Sequence, residues 1–583
     1  SNPKIVTAHH MVGNTYPYTI DTWLNDINLA HSNGIDAFAL NIGTDSWQPG
    51  QVDNAYQAAQ NSGTGFKLFI SFDMTVMPCS SAQDASALRD YITRYASHPN
   101  QLMYNGNVFA STFAGDTCTF GSDSSVDGWK SQFIDQLTGN NKVHFVPAFF
   151  SDPNSFKDFD NVIDGVYNWN SGWPVELTTQ TATTLLQPLG GALTPNLNST
   201  VLNNLVGSIQ PDDTYLSGLT QMPSDSQTYM AAVSPWFFTH YGPNSFNKNW
   251  IYMSNDHLYN RRWETIIANR SSIDIVEIVT WNDYGESHYI GPIEGDQPNS
   301  QDWVNGFDHT AWLDMTSYYA TAFKTGSFPN ITQDKLYLWS RPHPRDATAS
   351  NDPVGKPQSF QLMEDVVFAV VMAASPCTVT LSTNTSSSQT FNVSSGVTKL
   401  SIPITAGGTM YGKIERDGNT VVELDPQFTF DPNPTTYNYN AMVAYATNNQ
   451  MTTPPVEGTP GNNTSSSSVV SSSSVSSVLV LTPSPSPSSS SSSLSSSLPL
   501  SPSPSPPPSP SSSLPPSSSS SLPPSSSSSL PLSSSSSLPP SPSTSPSPSG
   551  SPSSQSTPSP SPTQSGSESG TYRFKRLHRR FSQ

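Results

Sequence analysis

Charge is what this 583-residue sequence has least of: Asp, Glu, Lys and Arg together make up 11% of it, where about 25% is usual. The formal net charge is −19, and the residues up to position 460 carry −23, because five basic residues (Arg573, Lys575, Arg576, Arg579, Arg580) but only Glu568 of the acids come later. A body that acidic repels a phosphate backbone, so no nucleic-acid partner is expected. Cysteine is nearly missing. Cys79, Cys118 and Cys377 are an odd set that excludes complete internal pairing, and no two of them have zinc-finger spacing. No apolar stretch approaches the roughly 20 residues of a membrane span, the longest near the tail being the short run 478–481. No basic-then-apolar signal region opens the chain, so a secreted protein is expected here in processed form. A glycine-rich phosphate loop after the first apolar run is also lacking, which argues against a doubly wound nucleotide-binding sheet.

Serine and proline, in contrast, are abundant at one end. Between positions 501 and 550, 43 of 50 residues are Ser or Pro, and such a segment has too little apolar surface to offset the entropy of ordering it. All 12 tryptophans lie at or before Trp339. About 455 residues remain to fold, enough for one large and one smaller domain. With few charges, much Asn, Ser and Thr, and 60 aromatic residues, the expected ligand is neutral and hydroxyl-rich, and carbohydrate fits that description. N-glycosylation tripeptides begin at Asn198, Asn269, Asn330, Asn384, Asn392, Asn462 and Asn463, which favours a secreted, extracellular or wall-associated monomer.

Through the first 334 residues, strand-length apolar runs alternate with longer polar stretches compatible with helices, the pattern of repeated βα units. Eight runs are expected: 5–9, 36–41, 67–72, 101–104 with 108–110 as an alternative register, 143–149, 165–167, 230–234 and 275–280. Eight units closing on themselves make an α/β fold of the (β/α)8 barrel type, whose site forms at the carboxyl ends of the strands. From 335 to 450 the pattern becomes β-branched alternation at 366–372, 377–381, 398–404 and 420–424, read as a β-sandwich with Gly407 and Gly408 as hairpin residues. From 451 to 583 the sequence reads as a disordered Ser/Pro-rich spacer with a basic end.

The densest group of chemically useful residues is Trp281-Asn282-Asp283-Tyr284-Gly285-Glu286-Ser287-His288, immediately after the last barrel strand. Two carboxylates three apart would point to opposite faces of a continued strand, but Gly285 allows a turn that brings both towards one cavity. Glycosidic hydrolysis requires such a pair, one group to protonate the leaving oxygen and one to activate water or attack the sugar. The competing reading is a capping box, with Asp283 starting a helix and Glu286 completing the cap.

This segment, together with Lys-Ile-Val-Thr-Ala-His-His-Met-Val-Gly13, Phe-Lys-Leu-Phe-Ile-Ser-Phe-Asp73 and Trp-Asn-Ser-Gly-Trp-Pro174, resembles the fungal α-1,3-glucanases, or mutanases, of glycoside hydrolase family 71. The resemblance covers most of residues 4–440. It implies an endo-acting, inverting hydrolase of the α-1,3-glucan of fungal walls, a barrel with an attached β-sandwich, and Asp283 and Glu286 as the acid and base. Reach alone favours Glu286 as the acid and Asp283 as the base.

Around that pair, Asp73 at the end of the third strand is expected to bind sugar hydroxyls. His10, or His9 in the other register, ends the first strand and is a candidate to bind a sugar hydroxyl. Adjacent strand residues face opposite ways and cannot share an ion, so neither a metal nor any other cofactor is expected. Trp47, Trp169, Trp173, Trp236 and Tyr289 follow barrel strands and could offer flat faces to sugar rings. His240, Tyr241 and Asp256 follow the seventh strand and are further candidates. Cys79 and Cys118 fall in the loops after the third and fourth strands, where a bridge is expected with Cys377 free. The alternative is three reduced thiols.

Overall fold

In the segment Ile-Val-Thr-Ala-His-His-Met, every residue but the last is buried, which a strand achieves only when both of its faces are covered. This is β1 (Ile5–Met11) of a curled parallel sheet in a computed structural model that describes residues 3–190, 193, 199–224, 227–448 and 450–451. The other parallel strands are β2 (Ala37–Ile42), β3 (Lys67–Asp73), β4 (Asn107–Phe113), β5 (Val143–Phe145), β6 (Gly165–Asn168), β7 (Thr228–Val233) and β8 (Ile275–Ile278). Hydrogen bonding runs in the order β5-β4-β3-β2-β1-β8-β7-β6. At the remaining seam, Asp164 N–H donates to Phe145 O at 2.8 Å and Tyr167 N–H donates to Pro147 O at 2.9 Å. The fold is therefore mixed α/β with a curled, largely parallel sheet.

Two strands differ from the sequence reading. Of the alternatives for the fourth, 107–113 is the parallel strand, and Met103–Tyr104 folds back on it as an antiparallel partner through Asn105 and Gly106, both at positive φ. The fifth stops at Phe145, two residues before Pro147, which has no N–H to continue a ladder.

Helices return the chain along the outside. A Thr19–Thr22 capping box starts α1 (Ile20–Ser32), whose Trp23, Ile27 and Ala30 are buried. Helix α2 (Gln48–Ser62) ends at Gly63 in the left-handed region, and a Ser81–Asp84 capping box starts α3 (Ala82–Tyr95). Further along, Arg262 on α5 (Leu258–Ala268) donates to both oxygens of Asp212 on α4 (Gln210–Leu219), at 2.6 and 2.7 Å, with both side chains fully buried. Tyr229 Oη donates to the same carboxylate at 2.7 Å. Helix α6 (Thr310–Thr325) follows β8.

Two antiparallel sheets come next. One has the order β13 (Gly396–Pro403), β10 (Val366–Ala373), β9 (Lys335–Ser340), β16 (Met442–Thr447), with the two-residue strand Gln450–Met451 at its edge. The other is β12 (Ser387–Val393), β11 (Cys377–Asn384), β14 (Tyr411–Arg416), β15 (Asn419–Leu424). Alternation along β9 and β10 divides their side chains between two cores. Tyr337, Trp339, Phe368 and Val370 join the core of the curled sheet, whereas Leu336, Leu338, Val367 and Val371 pack with Val379, Leu381, Ile414 and Leu424 of the second sheet. The near-continuous apolar run 366–373 follows from being covered on both faces. Gly407 and Gly408 do not make a hairpin. They lie in the connection from β13 to β14, which belong to different sheets, and a Cβ on Gly408 would lie 2.0 Å from Thr383 O. Cys79 and Cys118 form a disulfide and Cys377 is free and buried. No helix among the described residues is long and apolar enough to cross a membrane. The expected Ser/Pro spacer and the sequons at Asn198, Asn462 and Asn463 lie outside the described residues.

Candidate active site

Beyond β8 the chain folds back on itself, with Thr280 N–H donating to His288 O at 2.9 Å and Ile290 N–H to Thr280 O at 3.0 Å. The loop is tied to β1, since Trp281 N–H donates to His9 O at 2.7 Å and the Asn282 amide bridges Met11 N and O at 2.7 and 3.1 Å. Trp281 itself is buried against the rings of Phe38 and His10. With its neighbours held, Asp283 opens a single 3-10 turn, Tyr284–Glu286, and makes no side-chain capping bond, so the capping-box reading does not apply. Gly285 is required for a different reason than turn freedom: a Cβ there would lie 2.2 Å from the Tyr241 hydroxyl.

Asp283, Glu286 and His288 converge, with one potential ligand atom from each within 4.8 Å of the others. Glu286 is held from two sides, by Lys248 Nζ at 3.1 Å and by His288 Nε2 at 3.0 Å. His288 is oriented in turn. Asp283 N–H donates to Thr280 Oγ1 at 2.9 Å, and Thr280 Oγ1 lies 3.0 Å from His288 Nδ1. This chain of bonds is satisfied when the ring carries its proton on Nε2 and donates it to Glu286. A metal fits the trio poorly, because that Nε2 then has no lone pair and the Lys248 ammonium already supplies positive charge to Glu286.

The two carboxyls are driven apart in acidity. Burial pushes Asp283 up and the Glu286 charge adds to it, with only partial opposition from His288, Lys248 and His9. Burial pushes Glu286 up as well, but the Lys248 charge and the His288 hydrogen bond outweigh it and hold the group below the usual carboxylate range. The two displacements run in opposite directions, and opposite to the order that reach alone favours. Reach could not register Lys248, which arrives on the hairpin formed by Phe238–His240 and Asn249–Ile251.

The other expected residues divide into those at this centre and those elsewhere. Asp73 belongs to its charge field: burial raises its carboxyl, while the bonds from Thr75 and the charges of His9 and Lys248 draw it back. Tyr241 packs on Gly285, and its hydroxyl is pushed up by burial and by Asp283. Trp47 is half-buried, edge-on at 5.3 Å to Tyr16, which is 63% exposed. Trp169 is largely buried, with its ring 4.8 Å from that of His9.

Six expected residues are fixed in place by burial and by protein partners. His10 points outward into the packing of β1 against α1, where it meets Asp26 at 3.0 Å and the ring of Trp23, and His9 faces the interior instead, 2.8 Å from Glu277. Trp173 is buried, its indole N–H donating to Trp236 O at 2.8 Å. Trp236 reaches away to Tyr439 O at 2.8 Å, and Tyr289 stacks on His309 at 4.0 Å, so both are packing residues. His240 is fixed between Asn249 and Asp352, each at 2.8 Å. Asp256 pairs with Arg261 beside α5 and takes no part in the carboxylate cluster. Sequence reasoning did not single out Lys248 and Tyr16 at all. His288 was visible inside the motif but had no assigned role.

Two converging carboxyls of unequal acidity beyond the carboxyl end of a parallel strand are the kind of pair that glycosidic hydrolysis requires. The chain belongs to glycosyl hydrolase family 71, which it matches over residues 2–455. It is 38% identical over 441 residues to a glucan endo-1,3-alpha-glucosidase of Schizosaccharomyces pombe, covering 75% of this chain and 93% of the relative. A mutanase of Penicillium rubens is 30% identical, covering 76% and 89%, and an ascus wall endo-1,3-alpha-glucanase of S. pombe is 31% identical, covering 70% and 87%. Among solved structures, an endo-alpha-mannosidase of Bacteroides thetaiotaomicron aligns over 55% of this chain and 97% of its own at 11% identity and a TM-score of 0.36.

Proposed function

We propose that this protein is a secreted hydrolase of α-1,3-glucosidic bonds in glucan, with Asp283 as general acid and Glu286 as general base. The observation that carries this reading is the opposite displacement of two converging carboxyls, Asp283 upward and Glu286 downward. The named activities of relatives spanning most of the chain supply the linkage. The curled sheet is read as a (β/α)8 barrel over 1–334, the seam bonds of Asp164 and Tyr167 supporting closure, and 335–450 as an accessory β-sandwich. Asp73 binds hydroxyls, and Trp47 with the exposed Tyr16 forms an aromatic platform for a sugar ring. The disulfide and the exposed sequons favour an oxidising, extracellular setting.

In the reaction, Glu286 takes a proton from a water as it attacks the anomeric carbon, and Asp283 gives its proton to the departing glycosidic oxygen. Inversion needs the carboxyls about 6.5–9.5 Å apart, more than the 4.8 Å limit on their nearest ligand atoms here. Glu286 is held by Lys248 and His288, so the wider spacing that inversion needs is assigned in this reading to a shift of Asp283. Purified enzyme should release reducing sugar from insoluble α-1,3-glucan and not from β-1,3-glucan, chitin or starch, and NMR of the first product should show the β anomer. Activity on another polymer alone would overturn the linkage, and first release of the α anomer would assign the resting spacing to a retaining reaction.

Asp283, pushed up to about 6, must be protonated to act, so kcat/KM should fall as pH rises through that region. Glu286 must be ionised, and its lowered value keeps it so far into acid. Lys248→Met removes a charge that holds Glu286 down, so the acidic limb of kcat/KM should move up by about one to three units. An acidic limb that stays in place would rule out Glu286 as the base.

A further inference from the structure

The connection between α6 and β9 carries Phe328-Pro329-Asn330-Ile331-Thr332, an N-glycosylation tripeptide with an aromatic residue two positions before its asparagine. Asn330 and Thr332 are both exposed. Pro329 biases Phe328 towards an extended backbone, in which residues two apart face the same side. Phe328 is 47% exposed, a large apolar ring left open to solvent. One face rests on Tyr318, with centroids 5.3 Å apart and planes at 25°, so the other face is presented outward. The ring borders a cavity of about 320 Å³ lined by Ile267 and Ala268 of α5, Tyr318 and Tyr319 of α6, and Val397 of β13. Glu264 adds a carboxylate at the same cavity. Apolar rings beside a hydroxyl-binding group suit the ring hydrogens and polar edge of a sugar.

The other described sequons lack this setting. The Asn269 amide is spent on Thr265 O at 2.9 Å, and Asn384 Oδ1 accepts from Ser386 and Ser387 in a tight turn at 2.8 and 2.6 Å. Asn392 lies within strand β12, opposite Thr378.

We propose that Asn330 is N-glycosylated and that the first sugar of this glycan stacks on Phe328 and covers the Tyr318–Tyr319 cavity, acting as a fixed part of the junction between α5, α6 and β13. The inference rests on the secreted reading of the protein. The attachment is a group transfer from a lipid-diphosphate-linked oligosaccharide. The Asn330 Nδ2 attacks the anomeric carbon, the bond from that carbon to the diphosphate oxygen breaks as the C–N bond forms, and the amide gives up one proton while the lipid diphosphate leaves.

The test is secretion of the full chain from a yeast host, glycopeptide mapping, and thermal unfolding of the wild type, Asn330→Gln, Phe328→Ala and the double variant. Asn330 should be occupied. Asn330→Gln should lower Tm by about 1–3 °C in the wild-type background and by nothing measurable in Phe328→Ala. Trimming with an endoglycosidase that leaves the first sugar should keep the wild-type Tm. Asn330 empty while Asn384 or Asn392 is occupied would overturn the site alone, whereas no sugar at any sequon would overturn it together with the secreted reading. Equal Tm losses in both backgrounds would overturn the stacking. A Tm that responds to protein concentration or to added glucan oligomer instead of to the sequon would give the cavity to another occupant and overturn the proposal as well.

Discussion

Asp283→Asn and Glu286→Gln should each yield a folded protein that hydrolyses α-1,3-glucan about 10²- to 10⁴-fold more slowly than the parent. Neither side chain carries the loop, which is held by backbone bonds of Thr280, Trp281 and Ile290 and by the Asn282 amide. Circular dichroism and Tm should therefore stay near the parent values while turnover collapses. The two variants should separate on an α-glucosyl fluoride. Fluoride departs without a proton, so Asp283→Asn should regain most of its rate on that substrate, and Glu286→Gln, which still cannot activate water, should not. The opposite pattern would return the acid role to Glu286, and near-normal glucan hydrolysis in either variant would remove that residue from the mechanism. Asp73→Asn, in contrast, is expected mainly to raise KM, since Asp73 contributes to the charge field of the site without belonging to the convergent trio.

Asp212→Ala should be the most damaging single change to the fold, costing about 3–5 kcal/mol. It leaves the Arg262 guanidinium fully buried with a bond to Ala232 O at 2.9 Å and no counter-charge from Asp212, and it strips the Tyr229 hydroxyl of its acceptor. The loss comes from the orphaned charge more than from the pair itself, so replacing both partners, as in Asp212→Leu with Arg262→Met, should recover a large part of it. Urea unfolding of the single and double variants measures both quantities. A single variant within about 1 kcal/mol of the parent would mean that water reaches Arg262 and that the pair is not sealed between α4 and α5.

Several elements could be read from the chain because the information is local. The strands of the curled sheet are short apolar runs bounded by polar segments, and the segment from Trp281 to His288 is contiguous, so its two carboxylates were recognisable before any coordinate. The Cys79–Cys118 bridge followed from the expected order of neighbouring strands.

What tertiary structure decided depends on groups distant in sequence. Whether His9 or His10 faces inward is a matter of strand register, and a shift of one residue exchanges the two faces. Trp236 and Tyr289 follow strands of the curled sheet just as Trp47 does, but backbone and amide groups at Tyr439 and Asn440 close over them and make them packing residues. The difference in acidity between Asp283 and Glu286 is the clearest case. Side-chain length argues one way, but proton affinity is set by the charges and bonds around each group, and these come from Lys248, 38 residues before Glu286, and from a histidine ring aimed by Thr280. Sequence by itself determined which residues could do acid–base chemistry and roughly where along the chain they lie. Only the folded arrangement set their acidities apart, because an electrostatic field falls with distance in space and not with separation along the chain.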